Sequence, residues 1–263
     1  MSSSRILLVD DVELNLVILK ELLREGDFET ASASNGEEAV QLTRRIKFDL
    51  ILMDIQMPLL NGLEATYQIR GDKANPNNRT PIIALSANAC ESDKVTYLEA
   101  GMNAVLLKPF DIAVFFQLLS TYLGETLPVQ PAKSLTLPTQ AGVHAVRIDV
   151  DNLLRIGKNN RGFVGMMLQS FRDSSNEIIG EMEHALERKD WIKTAQLVHK
   201  LKFALHVMGA GNLDEEVRWI ETHTRNPQPE QEHEMQVRIY AFITVIRELD
   251  QQAVQLIETG GWS

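Results

Sequence analysis

The sequence predicts two folds in series: a doubly wound α/β domain on a five-stranded parallel sheet, then an all-α antiparallel helix bundle. Three observations carry this. In the first half, short apolar runs at 6–9, roughly 28–33, 50–53, 81–85 and 104–107 alternate with amphipathic segments, the rhythm of a parallel sheet covered by helices. From Ile148 onward there is no strand signal, and apolar residues recur at spacings of three and four. Between the halves, Gly124–Val146 holds Pro128, Pro131 and Pro138 with almost no charge, and reads as a linker. The expected domains are therefore 1–123 and 147–263, joined by 124–146.

Taken in order, Ile6-Leu7-Leu8-Val9 and the last three runs are continuous rather than alternating, as expected of parallel strands buried on both faces. Val12–Glu25 carries apolar residues at helical spacing and ends before Gly26. Asn35-Gly36-Glu37-Glu38 has the form of a capped helix start, with Glu38 three residues past the cap. Further helices are expected at 62–70, at 92–100 closed by Gly101, and at 111–123. In the second half, helices are expected at 149–156, 160–188, 190–208, 212–225 and 230–258. Phe163, Met167, Phe171, Ile178, Met182 and Leu186 mark one inward face. Gly157, Lys189-Asp190, Gly209-Ala210-Gly211 and Asn226-Pro227-Gln228-Pro229 supply the breaks.

A length of 263 residues fits one or two domains, and a net charge of −10 argues against general affinity for nucleic acid. No recognisable basic recognition helix occurs in the second half. No apolar stretch has the length of a membrane span, and no signal or transit peptide is evident. The lone Cys90 excludes an intramolecular disulfide and fits a reducing, cytoplasmic setting. No glycine-rich nucleotide-binding loop is found, so an independent kinase is not expected.

The chemistry-bearing residues of the first half all fall at or just past strand ends: Asp10 and Asp11, Asp54, Ser86 and Lys108. In an open parallel sheet, ligands bind at the carboxyl ends of the strands, where strand order reverses. Three carboxylates there repel one another unless a cation joins them, and hard oxygen ligands suit Mg²⁺. Such an ion neutralises charge on a transferring phosphoryl group. Asp54 is the expected nucleophile, with Lys108 and the Ser86 hydroxyl on phosphoryl oxygens. Each residue alone is ordinary, Asp as a cap or turn residue and Lys as surface; the conjunction is the signal.

Residues 4–123 resemble the response-regulator receiver domain, with its flavodoxin-like fold, in the motifs ILLVDD, DLILMDIQMPLLNG, PIIALSA and LKPF. The Asp54-Ile55-Gln56-Met57-Pro58 wording, with Asn15 after the acidic pair, is most similar to receivers of hybrid sensor kinases. The resemblance implies phosphorylation of Asp54 and Mg²⁺ bound by Asp11, Asp54 and the Gln56 carbonyl, with Asp10 acting largely through water. It also implies a cis Lys108–Pro109 bond. Val105 stands where receivers often carry a switching aromatic side chain, and valine cannot swing between two poses. A phosphoryl way-station is therefore expected rather than a conformational output switch.

In the second half, Leu197, Val198, Leu201 and Leu205 form an apolar face, while His199, Lys202, Phe203 and His206 share another. A neutral imidazole is a competent nucleophile, and Lys202 one turn on is suited to phosphoryl oxygens. Residues 148–258 resemble the histidine phosphotransfer (HPt) domain in His199, Leu201, Lys202, Gly209 and Leu213, which implies a helical bundle presenting an exposed, phosphorylatable His199. Phe203 departs from the family's glycine after the lysine, and Ala204 from a frequent serine. Two readings follow. One is a two-component phosphorelay intermediate, passing phosphoryl groups among Asp54, His199 and partner proteins: a sensor histidine kinase or hybrid kinase upstream, a receiver or HPt protein downstream. The other is a receiver-switched interaction protein whose degenerate helical domain docks partners or dimerises without transfer. The sequence leaves open whether the chain is the tail of a larger hybrid kinase.

Overall fold

The computed structural model describes residues 3–24, 26, 28–86, 91–108, 112–124, 146–157 and 159–260. Cys90, Pro109 and the expected linker, apart from Gly124 and Val146, lie outside them. Two compact units divide between residues 136 and 137.

The first unit runs β1 (Ser4–Val9), α1 (Glu13–Leu23), β2 (Phe28–Ala33), α2 (Gly36–Arg45), β3 (Leu50–Asp54), α3 (Gly62–Gly71), β4 (Ile82–Ser86), α4 (Glu91–Glu99), β5 (Ala104–Leu107) and α5 (Ile112–Leu123). The strands form one parallel sheet in the order β2-β1-β3-β4-β5. β3 and β4 are buried at every position and β1 from Ile6 onward, as their continuous apolar runs require. β5 has the same kind of run but is an edge, with Leu107 42% exposed. A run of four apolar residues has no period by which an edge strand differs from a central one.

Helix starts follow local chemistry. The Asn35 side chain accepts from the Glu38 N–H at 2.9 Å. The Glu38 carboxylate, instead of closing back on Asn35, accepts from the Ser34 N–H at 2.8 Å. A reciprocal capping box occurs at Asn61 and Glu64, fixing the start of α3 just beyond the β3 loop.

The segment between α3 and β4 is held by Asn77, which is fully buried. Its Oδ1 accepts from the Phe48 N–H at 2.8 Å and the Thr80 hydroxyl at 3.0 Å. Its Nδ2 donates to the Thr43 and Ile46 carbonyls, each at 2.6 Å. Arg70 fastens the same segment, donating to the carbonyls of Gly101, Asn77 and Asn78. These bonds replace a regular ladder across an irregular loop whose backbone groups are partly withdrawn from water.

The second unit contains α6 (Val150–Ile156), α7 (Arg161–Glu187), α8 (Trp191–Val207), α9 (Asp214–Arg225) and α10 (Glu232–Thr259), with short 3₁₀ turns at Gly211–Leu213 and Pro229–Gln231. Asp149, Asn160 and Asp190 cap α6, α7 and α8 through their side-chain oxygens. Phe163, Met167, Phe171, Ile178, Met182 and Leu186 are all buried, so the inward face read from spacing is the core face of α7. Gly209 (φ +85°) ends α8, and a Cβ there would lie 2.3 Å from the Asp149 Cβ. That close approach lets the Asp149 N–H reach the Met208 carbonyl at 2.8 Å, docking the start of the bundle on the end of α8. Among the described residues, no helix is long and apolar enough to cross a membrane.

Candidate functional site

Strand order reverses between β1 and β3, and the carboxyl ends of those strands carry Asp10, Asp11 and Asp54. Carboxylate oxygens of the three lie within 4.8 Å of one another. Asp10 is fully buried, and its Oδ1 accepts from the Val12 N–H at 3.0 Å and the Asn15 amide at 2.8 Å. Lys108, just past β5, is also buried; its Nζ donates to Asp10 Oδ2 at 2.5 Å and to Asp54 Oδ1 at 3.1 Å. The Ser86 carbonyl accepts from the Lys108 N–H at 2.6 Å, tying the ends of β4 and β5. Ser86 is buried one position beyond Leu85, which is the β4 partner of Asp54. Gln56 lies two residues past Asp54 with its side chain exposed. Val105 is half-buried and packs on the core of this unit.

The electrostatics follow from burial. Removal from water pushes the Asp54 carboxyl up to about 7; Lys108 pulls the other way, while Asp10 and Asp11 raise it further. Burial opposes the charge on Lys108, but Asp10 and Asp54 outweigh it and hold the ammonium above its ordinary value. One ammonium thus faces three carboxylates, and the residual negative charge together with an all-oxygen donor set fits a hard divalent cation.

In the second unit, His199 lies midway along α8, and its Nδ1 is 2.5 Å from Glu221 Oε1 on α9. The two side chains are only 11% and 10% exposed. Lys202 and Phe203 are buried at 6% and 7% exposure. The open presentation of His199 implied by the resemblance is therefore absent; the imidazole is covered and held. Burial alone would raise the Glu221 carboxyl, but the hydrogen bond and charge of His199, with Lys202 and Arg225, hold it below its ordinary value. An ionised carboxylate only accepts, so the Nδ1–H donates to Glu221, and in the neutral imidazole that tautomer leaves the lone pair on Nε2. Sequence reading missed Glu221. Its signal was available: Val217, Ile220, Glu221 and Thr224 form the buried stripe of α9, and a carboxylate on such a stripe needs a partner. His206, two turns beyond His199, is partly buried, and its Nδ1 has no hydrogen-bond partner.

Comparison with known proteins agrees with this division. Residues 6–120 match the response regulator receiver domain and residues 166–257 the Hpt domain. The chain is 35% identical over 120 residues to the polar-differentiation response regulator DivK of Brucella anthropi, covering 46% of this chain and 96% of DivK. It is 28% identical over 229 residues to the sensor protein GacS of Pseudomonas syringae pv. syringae, covering 87% of this chain but 25% of GacS. A crystal structure of the receiver domain of the Pseudomonas aeruginosa sensor histidine kinase PA1611, with a magnesium ion in its active-site cleft, is similar at 38% identity, 47% of this chain, 100% of that chain and a TM-score of 0.43. The chain spans a quarter or less of the length of the hybrid kinases and sensor proteins that it matches. The chain belongs to the response regulator receiver family and carries an Hpt domain after the receiver, the order of the C-terminal modules of hybrid sensor kinases. Both are domains of two-component phosphorelay signalling.

Proposed function

We propose that this chain is a phosphorelay intermediate in which Asp54 accepts a phosphoryl group from a phosphohistidine and passes it to a histidine, His199 being one such site. The supporting observation is the buried Lys108, bonded to both Asp10 and Asp54 inside a cluster of three carboxylates. In the forward step, an Asp54 oxygen forms a bond to phosphorus as the phosphorus–nitrogen bond of the donor imidazole breaks. The departing nitrogen keeps the electron pair, and the imidazole leaves neutral with its proton on the other ring nitrogen. Lys108 shifts from pairing carboxylates to pairing a phosphoryl oxygen, and the Ser86 hydroxyl donates to another. Asp11, Asp54 and the Gln56 carbonyl would hold Mg²⁺, with Asp10 acting through water. The ion supplies neutralisation of the charge that gathers on the phosphoryl oxygens.

Delivery to the helical domain uses the Nε2 lone pair of His199 as nucleophile. Glu221 fixes the tautomer and offsets the positive charge that grows on the ring as the new phosphorus–nitrogen bond forms and the phosphorus–oxygen bond to Asp54 breaks, the carboxylate keeping the electron pair. Lys202, three positions on and so on the same helical face as His199, is the proposed cation for the phosphoryl oxygens. The proposed domains are 1–123 and 147–263, joined by 124–146. Proposed partners are a sensor histidine kinase or hybrid kinase upstream and a receiver or HPt protein downstream. The proposed setting is the cytoplasm.

A second reading is favoured by one observation: His199, Lys202 and Phe203 are all nearly covered. On that reading, the helical domain docks partners without accepting phosphate. One experiment separates the two. A phosphorylated hybrid kinase, which carries phosphohistidine as well as receiver acyl phosphate, is incubated with wild-type chain, Asp54→Ala and His199→Gln, and label on the chain is scored by its stability in acid and in base. The relay predicts an acid-stable acyl phosphate lost in Asp54→Ala and an acid-labile phosphohistidine lost in His199→Gln. Label that survives Asp54→Ala without phosphohistidine overturns the Asp54 assignment. Absence of phosphohistidine in every protein supports the docking reading.

A further inference from the structure

The loop leaving β3, residues 55–61, is fastened along its length. The Ile55 N–H donates to the Leu85 carbonyl at 3.2 Å, and the Gly36 N–H to the Leu60 carbonyl at 3.0 Å. The Gly62 N–H returns to the Ile55 carbonyl at 3.0 Å, and a Cβ at Gly62 would lie 2.0 Å from the Asp54 carbonyl oxygen. At the tip, the Leu60 N–H donates to the Pro58 carbonyl at 2.9 Å. This closes a three-residue turn around Leu59, whose φ is +66°.

That left-handed conformation is costly for a side chain branched beyond Cβ and cheap for glycine or asparagine. The other described non-glycine residues with positive φ, Asn159 and Lys189, are polar. Leu59 is also 78% exposed, the most open of the large apolar side chains described. The turn does not require leucine, and neither does the core. A strained turn in the loop leaving Asp54 thus holds an apolar group in water, and strain of this kind gathers at functional sites.

We propose that Leu59 is a specificity-determining contact for the histidine-bearing helix that exchanges phosphoryl groups with Asp54. This rests on the relay reading above. In-line transfer brings nitrogen, phosphorus and carboxylate oxygen to within about 3–3.5 Å contacts. A helix that close to Asp54 must lie over the adjoining loop and cover its tip. The matching partner is a helix with an exposed apolar residue on the face of its histidine, such as Ile192, 65% exposed and seven positions before His199 on α8.

The test uses full chains. Donor chains carry Asp54→Ala and are phosphorylated with phosphoramidate. Acceptor chains carry His199→Gln, with leucine, asparagine or methionine at position 59. Leu59→Asn should slow transfer between chains about tenfold or more, the loss expected for a leucine-sized apolar contact. Leu59→Met should restore the rate to within about threefold, and labelling by acetyl phosphate should stay within about threefold in all acceptors. Leu59→Asn should melt no lower than its parent, because the strain is relieved. Equal transfer to the leucine and asparagine acceptors would overturn the proposal while leaving the relay intact. So would a parallel fall in acetyl phosphate labelling, which would make Leu59 a support for Asp54 itself. Failure of phosphorylated donor to label even the leucine acceptor would remove the relay through His199, and this inference with it.

Discussion

Glu221 governs the histidine site through a single short hydrogen bond, and its charge state makes that role measurable. Its folded pKa lies below the ordinary value of 4.5. An acid shifted in that direction contributes stability that is fully present above about 4.5 and is lost as pH falls through the folded value. All three tryptophans, Trp191, Trp219 and Trp262, belong to the second half of the chain, so tryptophan fluorescence reports this unit alone. In denaturation curves followed by that signal, wild-type stability should fall more steeply below pH 4.5 than that of Glu221→Gln. Superimposable acid limbs would mean that the carboxylate contributes nothing there. At neutral pH the same variant should form phosphohistidine from phosphoramidate about tenfold or more slowly, because the tautomer is no longer enforced by charge. An unchanged rate would assign Glu221 to packing only.

At the scale of elements, the receiver depends on segments that no periodicity marks. Asn77 sits in Asn75-Pro76-Asn77-Asn78, a segment of turn-forming residues, yet its amide serves the Phe48 N–H and the Thr43 and Ile46 carbonyls at the end of α2. Asn77→Ala strands those buried groups and should destabilise the receiver by about 3 kcal/mol. Calorimetry of the full chain would register it as a lower first-unit transition with the tryptophan-reported transition unmoved. A loss below about 0.5 kcal/mol would show that water replaces the amide. The strands were legible because each spans a few consecutive residues of one character. The identity of β5 as an edge was not, since it depends on what lies beside it. The α9 stripe was legible as helical spacing, but the partner of its carboxylate lies 22 residues away in sequence.

For the whole molecule, the two compact units imply two separable unfolding transitions. A ligand that binds one folded unit raises only that unit's transition, by an amount that grows with its concentration over its dissociation constant. Mg²⁺ should therefore raise the transition silent in tryptophan fluorescence and leave the fluorescent one in place. Asp11→Asn should abolish most of the rise. A single transition, or an equal rise in both, would contradict independent domains, and an undiminished rise in Asp11→Asn would move the metal elsewhere.

The sequence by itself determined which candidate site residues of the first unit gather at one sheet edge. Parallel strands end where their apolar runs end, so Asp10, Asp11, Asp54, Ser86 and Lys108 could be assigned to one sheet edge from local text. It also determined the inward face of α7 and the helical face shared by His199 and Lys202, because helical period is a local property. Only the tertiary structure decided that Lys108 bonds Asp10 across 98 residues, that Glu221 covers and orients His199, and that Leu59 is held outward in a left-handed turn. Those facts depend on which surfaces meet and how closely. Period and composition report what a side chain prefers, whereas packing settles which partner it receives.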